Sequence, residues 1–199
     1  MKRILLLSLC MIIATSAVSF SQKIPKTQWD SLLKNISQEN FRSSAVQAEK
    51  YLLSFTKDDR SLEKALLVYV DIFSHSGMVS LKQETFDELK QNIELYIGQQ
   101  AVLPGFPVSL TETPDFNKIH LYDTDTTTGF VAASNAKANA VLCFCFFTFK
   151  KKLNTIEFLG RSVEAGGTIE KIEINQKKSL DWILRLTFKN AYIFKDEKR

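Results

Sequence analysis

The chain has few of the residues that most often carry out chemistry in proteins. Its 199 residues include three cysteines and two histidines. It contains no P-loop, no dinucleotide-binding glycine pattern and no G-x-S-x-G motif. The cysteines and histidines also lack the paired spacings that a zinc site with four such ligands uses. The sequence therefore predicts no metal, no cofactor and no catalytic residue, which is typical of a non-enzymatic protein.

One long apolar run is present, and it lies at the N-terminus. Lys2 and Arg3 precede an apolar stretch over residues 4–13, and small residues follow. This is the layout of a secretory signal peptide. The stretch is shorter than the roughly 20 residues that a membrane-spanning helix needs. We therefore predict a signal peptide over residues 1–21, a mature chain that is periplasmic or secreted, and no stable membrane span after cleavage.

Two cleavage positions fit this signal. Small residues suit cleavage before Gln22, and another pair suits cleavage before Phe20. The S-F-S-Q ending resembles signal peptides of exported Bacteroidetes proteins. Lipidation of Cys10 is a weaker alternative, because Leu9 is larger than the residue that normally precedes a lipidated cysteine.

The mature chain also lacks an excess of either charge. Without Lys2 and Arg3, 24 basic residues face 22 acidic ones, which leaves a net charge of +2. A nearly neutral protein has little electrostatic attraction for nucleic acid. Nucleic acid is therefore an unlikely partner, and we expect a protein, a glycan or a small ligand.

Two cysteines remain in the mature chain, Cys143 and Cys145, in the run VLCFCFFTF at residues 141–149. On a strand their side chains share a face about 7 Å apart, beyond usual disulfide geometry. We predict two free, buried thiols that pack as small apolar groups. Because both faces of the run are apolar, we also predict a central strand that is covered on both sides.

The apolar pattern changes character near residue 98. Before it, apolar residues recur at helical spacing and predict about four short helices. The first helix starts near Thr27, the second follows Ser37, and the third runs over about 61–73. The fourth follows a Ser80–Gln83 capping box and ends at Gly98. None can bury its apolar stripe alone, so the sequence predicts a helical layer.

After residue 98, short runs rich in β-branched and aromatic residues predict five or six strands. The runs cover residues 101–110, 118–123, 128–133, 141–149, 162–174 and 181–194. Strands that follow a block of helices favour an α+β fold with a small barrel or curled sheet over a parallel α/β sheet.

The strand region resembles the tRNA-anti-like group of OB-fold domains. The resemblance rests on residues 141–147, 159–163, 166–169 and 186–193, with 98–105 at the start of the first strand. It implies an OB-like β-barrel domain over 98–195, which leaves a helical region at 22–97 and a charged tail at 196–199. The matching residues are structural, so the resemblance implies no catalytic residue.

The stretch LYDTDTTTG at residues 121–129 resembles the first motif of haloacid-dehalogenase-type phosphotransferases. That resemblance would make Asp123 the nucleophile and Asp125 the general acid and base, and both would help to hold magnesium. The helix and the downstream lysine and acidic pair that this chemistry requires are not predicted after it. A polar turn between two strands is the favoured interpretation.

Three lysines, Lys150, Lys151 and Lys152, follow the phenylalanine-rich run. OB folds often bind ligands by stacking them on exposed aromatic rings beside basic loops, so the lysines are candidate ligand-binding residues. A solvated turn that limits aggregation of the preceding strand is the alternative. His75 is expected at a helix C-terminus, where the helix dipole favours it.

The function predicted from sequence is an exported, non-enzymatic binding or scaffolding module of the cell envelope. One alternative is an OB-fold protein that binds single-stranded nucleic acid or glycan. Another is a metal-dependent phosphohydrolase that uses the D-x-D-x-T run at 123–127.

Overall fold

The computed structural model describes residues 23–111, 115–123, 125–134, 140–177 and 181–194. Four helices come first, and six strands then close into a barrel. This confirms the predicted α+β class, with an N-terminal helical layer followed by a barrel. The predicted signal peptide and charged tail lie outside the described residues. Within the described part of the chain, no helix combines the length and apolarity needed to cross a membrane.

The helical layer contains α1 (Lys26–Ser37), α2 (Phe41–Leu52), α3 (Leu62–Ser80) and α4 (Phe86–Ile93). A short 3-10 helix, Glu94–Tyr96, follows α4 directly. The apolar spacing identified all four helices, because each buries one stripe against its neighbours.

The end of α3 and the start of α4 differ from the prediction. The capping box is formed by Thr85 and Glu88, whose side chains each accept a hydrogen bond from the other residue's backbone N–H. The predicted Ser80–Gln83 box is therefore wrong, and α3 continues through Ser74, Ser76 and Gly77 to Ser80. These small residues are helical because α2 and the barrel pack closely on them.

The barrel contains β1 (Gln100–Ser109), β2 (Ile119–Asp123), β3 (Thr127–Ser134), β4 (Val141–Phe149), β5 (Ser162–Ile174) and β6 (Trp182–Phe194). Its order around the barrel is β1-β2-β3-β4-β6-β5. The β1–β2 and β4–β6 pairs are parallel, and the other pairs are antiparallel. Closure gives each of the six described strands a paired neighbour on both sides.

The helical layer and the barrel share one core. A continuous cluster of buried apolar side chains runs from Tyr69 and Ile72 of α3 to Phe147 and Phe188 inside the barrel. The hydroxyl of Ser76 donates a hydrogen bond to the carbonyl of Leu142 at the start of β4. Helix α3 therefore packs directly on the barrel.

The prediction that β4 is covered on both faces is wrong over most of its length. Cys145 and Phe147 point into the barrel and are buried, whereas Phe146 and Thr148 on the other face are exposed. Leu142 is buried, because α3 reaches the start of the strand and binds its carbonyl group there. The outer face beyond Leu142 is open to solvent.

Candidate functional site

The open outer surface of the barrel carries four aromatic side chains and one arginine. We call this set the aromatic face: Phe130 of β3, Phe144 and Phe146 of β4, and Trp182 and Arg185 of β6. Register brings these strands together, because Phe130 pairs with Phe146 and Phe144 pairs with Arg185. Alternation along each strand then points Phe130, Phe144, Phe146 and Arg185 to the same side of the sheet. Trp182 is the first residue of β6, and its ring reaches this side to lie against Phe144 and Arg185.

The rings of the aromatic face form a connected row. The ring centroid of Phe130 lies 5.1 Å from that of Phe146 and 5.5 Å from that of Phe144. The Phe144 centroid lies 6.3 Å from the Trp182 ring. All three separations fall in the range of favourable aromatic pairs, so neighbouring rings hold one another in place.

Arg185 lies between the two rings that end the row. Its guanidinium carbon lies 5.3 Å from the ring centroid of Phe146 and 5.0 Å from that of Trp182, within cation–π range. Its Nη1 lies 3.7 Å from a Glu173 carboxylate oxygen. A hydrogen bond with Lys171, 2.9 Å away, is the main cause that holds the pKa of Glu173 below its usual range. Glu173 is therefore shared by two cations, and one carboxylate against two cations leaves this part of the face with a net charge of +1.

The face is open to solvent at its centre. Phe146 is 36% exposed, and the hydroxyl-bearing side chain of Thr148 beside it is also exposed. Thr128 pairs with both Thr148 and Tyr122, and Tyr122 is exposed as well. The other three rings of the row are half-buried. A partly exposed apolar patch rimmed by polar groups is typical of a binding surface.

The three candidate lysines lie just beyond the end of β4. Lys150, Lys151 and Lys152 are all exposed. The Lys152 Nζ lies 3.1 Å from a carboxylate oxygen of Asp123, so this lysine is part of an ion pair. Their role as ligand-binding residues stays a prediction.

The D-x-D-x-T run lies at a hairpin. Asp123 ends β2 and pairs with Thr127 at the start of the antiparallel strand β3. A phosphotransferase motif of this type needs a helix at that place, and β3 occupies it. Asp125 is exposed, and Asp123 is bound to Lys152. This arrangement suits a polar turn better than a magnesium site.

Cys143 and Cys145 are closer together than the sequence predicted. Both are free and fully buried, but their Sγ atoms lie 3.4 Å apart, because the side chains lean toward each other inside the barrel. Burial raises the pKa of the Cys145 thiol, and the contact with Cys143 raises it further. A buried neutral thiol is a poor nucleophile.

We predict that neither thiol reacts with maleimide in the folded protein, and that both react in denaturant. Replacing both residues, Cys143→Ala with Cys145→Ala, should lower the free energy of unfolding by roughly 1–3 kcal/mol through lost packing. Peptide mass spectrometry after labelling gives the modified position. Rapid labelling of Cys143 or Cys145 without denaturant would contradict the burial.

Neither histidine lies where a cysteine–histidine site would need it. His75 is not at a helix C-terminus as predicted; it is buried within α3, which continues beyond it. His120 is buried on β2, and its Nε2 accepts a hydrogen bond from the backbone N–H of Asp115. Among the described residues, the group of three potential metal ligands that lie close together is Glu49, Asp71 and His75, without a cysteine.

A groove between the helical layer and the barrel is a second concave surface. It has a volume of about 300 Å³ and is lined mainly by apolar side chains, among them Leu33 of α1, Phe73 of α3 and Phe106 of β1. That volume is at the lower limit of small-molecule sites. The groove offers fewer stacking surfaces than the aromatic face.

Comparison of the chain with models of known protein families, with curated proteins and with solved structures gives no match in any of the three. Its function is therefore inferred from its own geometry and chemistry.

Proposed function

We propose that the protein is an exported, non-enzymatic binding module of the cell envelope, and that the aromatic face binds a glycan chain. The observation that supports this most is the stacked, half-open row of rings around Phe146 on an otherwise closed barrel. A ligand ring that packs on these aromatic side chains removes apolar surface from water. The aromatic rings already hold one another in position, so binding costs little further ordering of side chains.

The chemistry of the face favours a sugar over a nucleobase. A pyranose ring has an apolar C–H face that packs on an aromatic ring and hydroxyl groups that bond to neighbours such as Thr148. Sites for single-stranded nucleic acid combine stacking rings with a strongly basic groove. Here the cation in the row, Arg185, is stacked between two rings and close to Glu173. The face therefore offers stacking with little free positive charge.

The strand order also supports the proposal that the barrel is OB-like and related to the tRNA-anti-like group. An OB fold is a five-stranded Greek-key barrel. The present order fits that pattern if β1 and β2, which are parallel and consecutive, together take the place of its first strand. The aromatic face then lies on the strands that follow this first strand.

Binding to defined probes tests the proposal. Isothermal titration with chitohexaose, cellohexaose and the oligonucleotide dT12 separates glycan from nucleic acid. We expect one of the two sugars to bind, and Phe146→Ala or Trp182→Ala to weaken it roughly 10- to 30-fold, as expected for a central interface aromatic. Phe194→Ala is the matched control, because Phe194 is equally exposed, at 36%, and lies outside the aromatic face.

Two results would overturn the proposal. One is tighter binding of dT12 than of either sugar, which favours nucleic acid as the ligand. The other is sugar binding that Phe194→Ala weakens as much as Phe146→Ala does.

A further inference from the structure

A cluster of ionisable side chains lies in the helical layer, apart from the aromatic face. Glu49 belongs to α2, Asp71 and His75 lie one turn apart on α3, and Glu84 lies between α3 and α4. His75 Nε2 is 3.4 Å from Glu49 Oε1 and 3.8 Å from Asp71 Oδ1. The three ligand-type atoms all lie within 4.8 Å of one another.

Two atoms in this cluster are buried and lack hydrogen-bond partners. His75 is 3% exposed and Asp71 is 1% exposed. Within the described residues, neither His75 Nε2 nor Asp71 Oδ1 makes a hydrogen bond. The 3.4 Å separation of Nε2 from Glu49 Oε1 therefore lacks hydrogen-bond geometry. Buried polar atoms without partners are rare and often indicate an ion or a water.

The other atoms of the same side chains are fixed by hydrogen bonds. His75 Nδ1 lies 2.8 Å from the Glu84 carboxylate, to which it donates, and Glu84 also accepts from Asn92. The Tyr96 hydroxyl donates to Asp71 Oδ2 at 2.7 Å. A histidine that binds a metal through one ring nitrogen usually donates its other ring N–H to a carboxylate. His75 has this arrangement, because Nδ1 is held by Glu84 and Nε2 is directed at Glu49 and Asp71.

Acidic groups dominate the charge around this point. Burial raises the pKa of Asp71 to about 6, while the charge of His75 lowers it in part. Burial lowers the pKa of His75, but the Glu84 hydrogen bond and the surrounding carboxylates outweigh this and leave it above the usual range. The cluster therefore attracts positive charge, from a proton on Nε2 or from a cation in its place.

We propose that Glu49, Asp71 and His75 form a binding site for a divalent transition-metal cation, with Zn²⁺ as the best match and water completing the coordination. Two ligand atoms that each lie about 2.0–2.2 Å from Zn²⁺ at a tetrahedral angle are roughly 3.3–3.6 Å apart. His75 Nε2 is 3.4 Å from the Glu49 oxygen and 3.8 Å from the Asp71 oxygen, which is close to this spacing. The imidazole nitrogen favours Zn²⁺ over Mg²⁺ or Ca²⁺, which prefer oxygen ligands. Glu49, whose side chain is 55% exposed, gives the ion a route from solvent.

This site adds a second ligand to the protein and is independent of the proposed glycan binding. The chain has two histidines, His75 and His120, so the imidazole ¹⁵N spectrum contains two sets of signals. Zn²⁺ alone, titrated into tag-free protein, should bind with one ion per chain and shift the Nε2 signal of His75. The signals of His120 should stay in place.

Variants locate the ligands without removing the buried groups. Because Glu49 is largely exposed, Glu49→Gln should fold normally and weaken Zn²⁺ binding at least roughly 10-fold, the lower end of the loss for an outer-shell partner. Glu94→Gln, at another exposed carboxylate of the helical layer, should leave the affinity unchanged. Mg²⁺ and Ca²⁺ should bind more weakly than Zn²⁺.

Two outcomes would overturn the site. The first is no Zn²⁺ binding at all, which would make the cluster an internal ion-pair network of protonated His75. The second is binding that shifts His120, or that Glu49→Gln and Glu94→Gln weaken equally, which would place the ion elsewhere.

Discussion

Phe147→Ala is expected to lower the free energy of unfolding by about 3–5 kcal/mol, a large part of the stability of a typical domain. Phe147 is 2% exposed and lies at the centre of the barrel, with its ring stacked 5.0 Å from that of Phe188 and 6.1 Å from that of Phe149. Removing the ring leaves a cavity that the closed sheet cannot collapse to fill. Urea denaturation followed by circular dichroism measures the loss.

The neighbouring residue supplies the control. Phe146→Ala removes the same atoms from the same strand, but on the solvent-exposed face, and should cost less than about 1.5 kcal/mol. Equal losses for Phe146→Ala and Phe147→Ala would mean that the strand does not alternate between core and surface. Together the two variants separate a stability effect from the binding effect expected at Phe146.

Gly166→Ala is the second change with a large expected effect. A Cβ atom at Gly166 would clash with the carbonyl oxygen of Ala101 and lie 2.7 Å from the Cα of Val102. These are backbone atoms of the paired strand β1, so no side-chain rotation relieves the contact. We expect a loss of roughly 2–3 kcal/mol, at the upper end for overpacking, measured as a shift of the urea midpoint.

Gly105→Ala is the matched control for this clash. The added Cβ would meet the Oγ of Ser162 at 2.8 Å, and that hydroxyl group can rotate away. The expected loss is less than about 1 kcal/mol. A Gly166→Ala protein as stable as the Gly105→Ala protein would show that β1 and β5 are not as closely paired as described.

The elements were predictable to different degrees. The strand β5 has the bounds that the sequence predicted, Ser162–Ile174, because the β-branched pattern continues to a polar turn. The end of α3 was not predictable, because Ser74, Ser76 and Gly77 resemble a helix stop. Their helical state depends on partners far along the chain: Phe41 lies against Gly77, and Leu142 accepts from Ser76.

The binding surfaces depend on contacts that no local pattern contains. Alternation placed Phe144 and Phe146 on one face of β4, but their exposure depends on where α3 ends its contact with the strand. Phe130 joins them through the register of β3 with β4, and Arg185 through the register of β6 with β4. Trp182 joins them through its ring contact with Phe144. The Asp71–His75 spacing of one helical turn is visible in the sequence. The cluster of Glu49, Asp71 and His75 was nevertheless missed, because α3 was predicted to end before His75 and Glu49 comes from another helix.

If the aromatic face binds a glycan, Trp182 reports on the binding directly. The chain contains two tryptophans, so Trp29→Phe leaves Trp182 as the single one. We predict that titrating this variant with the sugar that binds gives a saturable change in Trp182 fluorescence. Its midpoint should match the calorimetric dissociation constant, and adding Phe146→Ala should move it to higher sugar concentration. Calorimetric binding without any change in Trp182 fluorescence would contradict the claim.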